Sequence, residues 1–479
     1  MNENSLECSN NVLLEEEKVR VRVKVHYIPN SVIANGGPNN YESLKVEAKL
    51  NKLLDNTKQL DYIYDKDDFL DSVFIKVLED CSVSPVYSSL FSLMLTTSGG
   101  YPSLSSQFGN LLKKFGKLNF ELRIRFSFLS ESSVKDKPQY CYRYTSQNDS
   151  TKFVMNETVL SYYFNQRRRD FIDGKFTKSN KITSKTDISP ELGVAVLDMV
   201  RIAHEMDWTL SKVQNKVSFK KLLPINIKQA IKTESFFYKK RVRLQFKHYI
   251  KHFKSIFTEF LQERNTLFVY TKYLRNLELV PGCEQSESFD ISHESKDIKL
   301  LINGDKGVYD KSNEENLKID FKEIADMDIC EKITDNQESK HCVSIVLLKG
   351  GMKDFYFENE LKAESFATCV DGYYRLVVDS HYGLNEKLTP PHIQNLIKLS
   401  CHGPINFEFA EKILKEERLL RVGDCLLRQS SQKYDEYYIN TVLSTDSDIE
   451  VKNYKLDRDE KGYLCLLLVK KNHFYCYLF

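Results

Sequence analysis

Several things are scarce in this chain of 479 residues, and each scarcity excludes something. No apolar run approaches the ~20 residues that a membrane-spanning helix needs. The 11 cysteines are scattered and odd in number, with no C-x-x-C pair. That fits reduced thiols in the cytosol and disfavours a zinc module or a disulfide framework. Charge of one sign is missing too: 69 Lys and Arg meet 67 Asp and Glu, a net charge of +2, so the molecule as a whole has no nucleic-acid bias and any basic function is local. H-E-x-x-H, G-x-S-x-G, P-loop and G-x-G-x-x-G patterns are absent, as are H-R-D and D-F-G. No catalytic residue, metal ligand or cofactor is therefore expected. The opening "MNENSLECSNNVLLEEEKVRVRVKV" is acidic and polar and lacks an uncharged apolar core, so no secretory signal is expected. The glycosylation acceptor patterns at Asn148 and Asn156 are then idle.

What is present is ordinary globular composition, 41% hydrophobic and 28% charged, in a length that suits three or four domains. Over 18–130, "KVRVRVKVHYI" alternates with period two and predicts a strand; Phe69, Val73, Val77 and Leu78 predict a helix ending near Pro85; "YSSLFSLML" and "LNFELRIRFSF" return to strand periodicity. Residues 140–277 read as a helical bundle. In "DISPELGVAVLDMVRIAHE", Ser189 is the expected N-cap and Leu192, Val196, Met199, Ala203 and Met206 the buried stripe. In "KKRVRLQFKHYIKHFKSIFTEFLQ" the stripe is Val242, Phe246, Ile250, Phe253, Phe257 and Phe260. Residues 278–385 read as strands, with an "NGDKG" hairpin turn, closed by a helix over Leu361–Asp379. Pro390 and Pro391 predict an extended linker. Over 396–479 a helix ("INFEFAEKILKEE") is followed by strands. The fold class expected is multidomain α+β.

Two features suit binding. Arg428, in "GDCLLRQSS", follows three apolar strand residues and precedes Ser430 and Ser431. A guanidinium fork beside hydroxyl donors is the chemistry that grips a phosphate or carboxylate; the bland reading is an Arg snorkelling from a strand edge. The second is a basic stripe, Lys239, Arg243, Lys247 and Lys251, with Lys240, Arg241 and Lys254 nearby. Its expected partner is anionic lipid or an acidic peptide; the bland reading is a solvated face, although such faces usually interleave signs. His402 stands out among the 10 histidines by context, and a structural role is expected for it.

"GDCLLRQS" resembles the F-L-V-R-E-S strand of Src-homology-2 (SH2) domains, and "CHGPINFEFAEKIL" resembles their entry into the first helix. Upstream, "SVSPVYSSLFSLM", "VLSYYFNQRRRDFIDG", "LGVAVLDMVRIAHE", "KKRVRLQFKHYIKHF" and "VDGYYRLVVDSHYGL" resemble, in family order, the FERM region of Janus kinases, from about residue 18 to 457. The resemblance implies a ubiquitin-like lobe (18–130), a helical lobe (140–277), a pleckstrin-homology-like lobe (278–385) and an incomplete SH2-like domain (396–479). It implies that the unit clamps the cytoplasmic tail of a cytokine receptor at the inner face of a membrane, without catalysis of its own. STAT proteins are partners only where the family's pseudokinase and kinase domains follow, and the chain is expected to be truncated before them. Phe407 and Asn453 depart from the basic residue and the His of many phosphotyrosine-binding members, so Arg428 is expected to take a carboxylate or a phosphate with fewer supporting contacts. The pattern is lost after about Asp457, which predicts an unfinished sheet exposing "YLCLLLV". The alternatives are an incomplete record of a full tyrosine kinase and, lower, a membrane–cytoskeleton linker.

Overall fold

The computed structural model describes residues 18–26, 42–126, 156–176, 187–263, 266–283, 286–293, 296–304, 306–312, 317–333, 339–416, 420–445, 449–458, 464–470 and 473–478. The polar opening, Asn148, Asp305 of the expected hairpin turn and the side chains of Lys254, Phe257 and Phe260 lie outside the described residues. Two compact units emerge. The first comprises Met1–Lys24, Gln59–Val154 and Ser286–Phe479; the second comprises Val25–Lys58 and Met155–Gln285.

The chain opens with β1 (Lys18–Val25), α1 (Glu42–Leu54), β2 (Lys58–Asp65), α2 (Leu70–Asp80), β3 (Phe91–Leu95), α3 (Phe108–Phe115) and β4 (Leu118–Ile124). Alternation in β1 buries Val19, Val21, Val23 and Val25. The sheet order is β2-β1-β4-β3, with β1 parallel to β4 and β3 antiparallel to it. In α2, Val73, Val77 and Leu78 are buried as their spacing predicts, and Phe74 is buried beside them. Phe69 instead precedes the helix, 39% exposed, because its backbone bridges to Gln107. Only the second half of "YSSLFSLML" is strand: Pro85–Leu90 turns as a 3₁₀ helix, started by proline's fixed φ. α1 was not read from the sequence, and it groups with the helical unit rather than with the rest of 18–130.

That second unit continues with α4 (Glu157–Ile172), α5 (Ser189–Glu205), α6 (Leu210–Lys216), α7 (Ile225–Thr233), α8 (Phe236–Glu263) and α9 (Thr266–Glu278). Asn156, half of a glycosylation pattern, caps α4 by accepting from Val159 N–H at 2.9 Å. Ser189 is the first residue of α5 rather than its cap, since Ile188 occupies that place, and Asp187 accepts from Ser189 N–H at 3.0 Å. Every residue from Glu191 to Ala203 is buried, including Asp198 and Arg201. The charges are tolerated because they satisfy one another. Arg168 Nε and Arg201 Nε donate to the two oxygens of Asp198 at 2.6 and 2.8 Å. One further nitrogen of each guanidinium reaches back to α1: Arg201 Nη2 donates to Leu53 O and Arg168 Nη1 to Leu54 O, both at 3.0 Å. Arg201 Nη1 donates to Glu205 Oε1 at 3.1 Å, and Arg168 Nη2 is buried without a hydrogen-bond partner among the described residues. Burial pushes the Asp198 carboxyl up, but the two arginines outweigh it and hold it below the usual carboxylate range.

The first unit resumes with β5 (Glu287–His293), β6 (Lys296–Asn303), β7 (Gly307–Asp310), β8 (Lys318–Ile319), β9 (Ile324–Ile333), β10 (Ser339–Leu347), β11 (Met352–Phe357) and α10 (Glu360–Val377). The sheet runs β8-β7-β6-β5-β11-β10-β9. α10 lays Phe366 against Phe289, Phe355 and Phe357, and buries Val370, Tyr373 and Val377. Gly372, in the middle of "VDGYYRL", is where Phe126 at the end of the first lobe makes its close approach: a Cβ there would lie 2.2 Å from the Phe126 ring. Phe126 in turn meets Tyr373 edge-on, centroids 5.0 Å apart.

The last segment comprises α11 (Pro391–Lys398), β12 (His402–Ile405), α12 (Phe407–Glu416), β13 (Cys425–Ser430), β14 (Tyr437–Ser444), β15 (Glu450–Arg458), β16 (Leu464–Lys470) and β17 (His473–Leu478), the strands forming one sheet in chain order. The expected linker is partly helical, because Pro391 stands first in α11, where its missing N–H is harmless. His392 fixes that helix to α2: its N–H donates to Asp71 Oδ2 at 2.9 Å, and Nδ1 lies 2.6 Å from Oδ1. The sheet expected to be unfinished continues, since β16 pairs with both β15 and β17.

Candidate functional site

Arg428 lies on β13, between parallel β12 and antiparallel β14. Strand alternation sends Leu427 to the core that holds Tyr437 and Ile439, and Leu426 to the one that holds Ile405 and Ala410 of β12 and α12. Arg428 is not a snorkelling edge residue; it is 3% exposed. Its Nε donates to Asn440 Oδ1 at 2.8 Å, Nη1 to Ile405 O at 2.7 Å and Nη2 to Asn453 Oδ1 at 3.2 Å. The Tyr438 ring centroid is 4.7 Å from Cζ. All three acceptors are neutral, and among the described residues no carboxylate forms an ion pair with Arg428. Burial lowers its pKa from the ordinary value, against the opposing pull of Tyr438, Glu408 and Cys401. Two of the guanidinium's five N–H donors make no hydrogen bond among the described residues. The arrangement can accept one anionic oxygen group.

Ser430 is used differently from the expectation. It is buried, and its Oγ accepts from the N–H of Gln432 at 3.1 Å and of Lys433 at 3.4 Å, holding the turn that follows β13. That turn is docked on the first lobe, through Tyr434 Oη to Val83 O at 3.0 Å and Ser84 Oγ to Ser431 O at 2.5 Å. Asn453 is itself a partner of Arg428, opposite Asn440 in the β14–β15 register. Phe407 opens α12. Asn440 and Tyr438 were missed by sequence reasoning; only the strand register brings them to Arg428, and no local signal marks them.

His402 faces Arg428 across the β12–β13 register. Its Nδ1 lies 3.2 Å from Gly403 O, and its ring meets His381 edge-on at 4.9 Å. Burial, then His381, push its pKa down to about 4, so it is neutral at physiological pH.

The second feature lies on α8, in the other unit. Val242, Phe246 and Ile250 are buried, Phe253 packs against the same core, and Lys239, Arg243, Lys247 and Lys251 are exposed. None of these four cations has an ion pair among the described residues. Lys240 and Arg241 are exposed beside them, as are Phe236, Phe237 and Leu244, at 73%, 81% and 58%. From Phe236 to Lys254 there is no Asp or Glu. The stripe is one face of a cationic surface with apolar residues set in it. No helix of the described residues is long and apolar enough to cross a membrane.

Residues 152–280 match the family described as the FERM F2 acyl-CoA binding protein-like domain. The chain is similar to tyrosine-protein kinase JAK3 of Rattus norvegicus, 25% identical over 406 residues, covering 83% of this chain and 36% of that protein. It is similar to tyrosine-protein kinase JAK1 of Danio rerio, 24% identical over 450 residues, covering 81% of this chain and 38% of that protein. The chain thus spans little more than a third of the length of these relatives. Among solved structures, the FERM and C-terminal domain complex of Drosophila Merlin aligns at 13% identity and a TM-score of 0.42, covering 67% of this chain and 93% of that one. The chain is Janus-kinase-like, and it carries a FERM F2 domain within a multidomain α+β fold.

Proposed function

We propose that the chain is a FERM–SH2-like docking module that holds the cytoplasmic tail of a cytokine-type receptor in JAK-STAT signalling, peripheral to the inner face of a membrane. The observation that carries it is Arg428: a buried guanidinium, bound by neutral oxygens alone, with two N–H donors to spare. Such a group is stabilised by an incoming carboxylate or phosphate. In this reading an acidic or phosphorylated side chain of the tail supplies it, and the cationic face of α8 takes a second, membrane-proximal segment or the anionic lipid around it. The module performs no catalysis itself. Titrating receptor-tail peptides, phosphorylated and not, against the intact chain tests it. Saturable binding that Arg428→Met weakens ~10-fold or more is expected; no binding by the intact chain sinks the reading.

A second reading is favoured by the fraction of the relatives that is covered, 36% and 38%: the chain is one portion of a full non-receptor tyrosine kinase acting on receptor and STAT proteins. Sequencing the transcript beyond codon 479 decides it, by the presence or absence of in-frame H-R-D and D-F-G.

A further inference from the structure

The first unit contains a cavity of about 110 Å³ where α2, the segment Pro85–Phe91, α10, α11 and β12 meet. Its walls are mostly apolar, with Phe74, Phe91, Leu104 and Leu396 among them. A cavity of ~150 Å³ lined this way accepts benzene, so this one suits a ring or a short chain. The wall also carries a cation whose needs are unmet. Arg375 Nη2 pairs with Asp371 Oδ2 at 3.0 Å, but Arg375 Nη1 is buried without a hydrogen-bond partner. Asp371 is an incomplete counterion: burial pushes its carboxyl above the usual range despite Arg375, and its other oxygen accepts from Leu384 N–H at 2.9 Å. Arg125, also in the wall, is already engaged by both oxygens of Glu287, by Thr368 Oγ1 and by Ser365 O, and His402 there is neutral. An apolar chamber with one under-used guanidinium matches one ligand chemistry, an apolar body ending in an anionic acceptor.

We propose that this cavity binds a small carboxylic acid with an apolar body of about four to seven carbons, its carboxylate accepting from Arg375. The bound acid touches α10, α11 and β12 together, so its occupancy strengthens the seat of the SH2-like segment on the first lobe. Nothing in this depends on Arg428 or on a receptor tail.

The test is calorimetric titration of the full chain with hexanoate and benzoate, beside hexan-1-ol and toluene as neutral counterparts. Saturable binding of the acids, roughly tenfold tighter than of the neutral probes, is expected. Arg375→Met is expected to level the two classes. Gly403→Leu and Ser89→Phe fill the cavity from two sides, Gly403 being a position where an added Cβ meets open space, and either one, once shown by circular dichroism to be folded, is expected to abolish binding. Absence of saturable acid binding, equal affinity for acids and neutral probes, or undiminished binding in the folded filled variants overturns the proposal.

Discussion

Removing the guanidinium of Arg428 strands Ile405 O, Asn440 and Asn453 without their donor. Arg428→Ala is therefore expected to destabilise the first unit by ~2–4 kcal/mol in chemical denaturation. Arg428→Lys recovers little, because an ammonium cannot reach three acceptors arranged around a planar fork. His402 gives a pH signature. Its folded pKa is about 4, whereas an unfolded His titrates near ~6.5. Between these values the unfolded chain binds more protons, so this stability is complete above the upper value and is lost as pH falls through the interval, by up to ~3 kcal/mol. Glu364 has the opposite slope: burial pushes it up to about 7, so its contribution is lost as pH rises. The difference between the chain and His402→Gln isolates the first effect; an unchanged pH slope would refute it. The oddity of Arg428 was legible in six residues of sequence. Its partner Asn440 was not, because it lies 12 residues away and only cross-strand register selects it; position 453 was marked by the resemblance alone.

At the scale of elements, period and pattern were most legible where burial is one-sided. β1 and α8 show it: β1 buries all four of its valines, and α8 buries Val242, Phe246 and Ile250 while its basic stripe stays exposed. α5 carries the same stripe but is buried all round, a fact hidden by the charged Asp198 and Arg201. α11 was read as linker because two prolines look like a break; a proline in the first turn starts a helix equally well. The cationic face of α8 yields an element-scale expectation. At ~1 kcal/mol per basic residue near an anionic bilayer, changing Lys239, Arg243, Lys247 and Lys251 together to Glu is expected to abolish sedimentation with phosphatidylserine vesicles while leaving the melting temperature nearly unchanged. Sedimentation that persists refutes the surface reading. Gly372→Ala is expected to destabilise by ~1–3 kcal/mol, because the Phe126 ring has to leave its place against Tyr373; thermal denaturation measures it.

For the whole molecule, the chain enters the helical unit twice, first for 25–58 and then for 155–285. The second stretch expressed alone lacks α1, so Arg168 and Arg201 lose the acceptors at Leu54 O and Leu53 O. Residues 155–285 are expected to unfold at least ~2 kcal/mol more easily than the same stretch supplied with a peptide of residues 42–58; equal stability with and without the peptide would contradict this. Acidification should weaken the helical unit too. Asp198 is held low, so its contribution is present above the unfolded carboxyl pKa of ~4 and is lost as pH falls through its depressed folded value.

The return of α1 to a bundle made later also sets a schedule for synthesis. Arg201 lies 147 residues after Leu54, the partner of Arg201 Nη2 being Leu53 O. At ~5–20 residues per second, α1 waits on the order of ten seconds outside the ribosome before that partner exists. A helix of 13 residues is marginal alone, so it waits unfolded with Leu50, Leu53 and Leu54 exposed. α1 is thus a segment of the nascent chain that a chaperone has reason to hold.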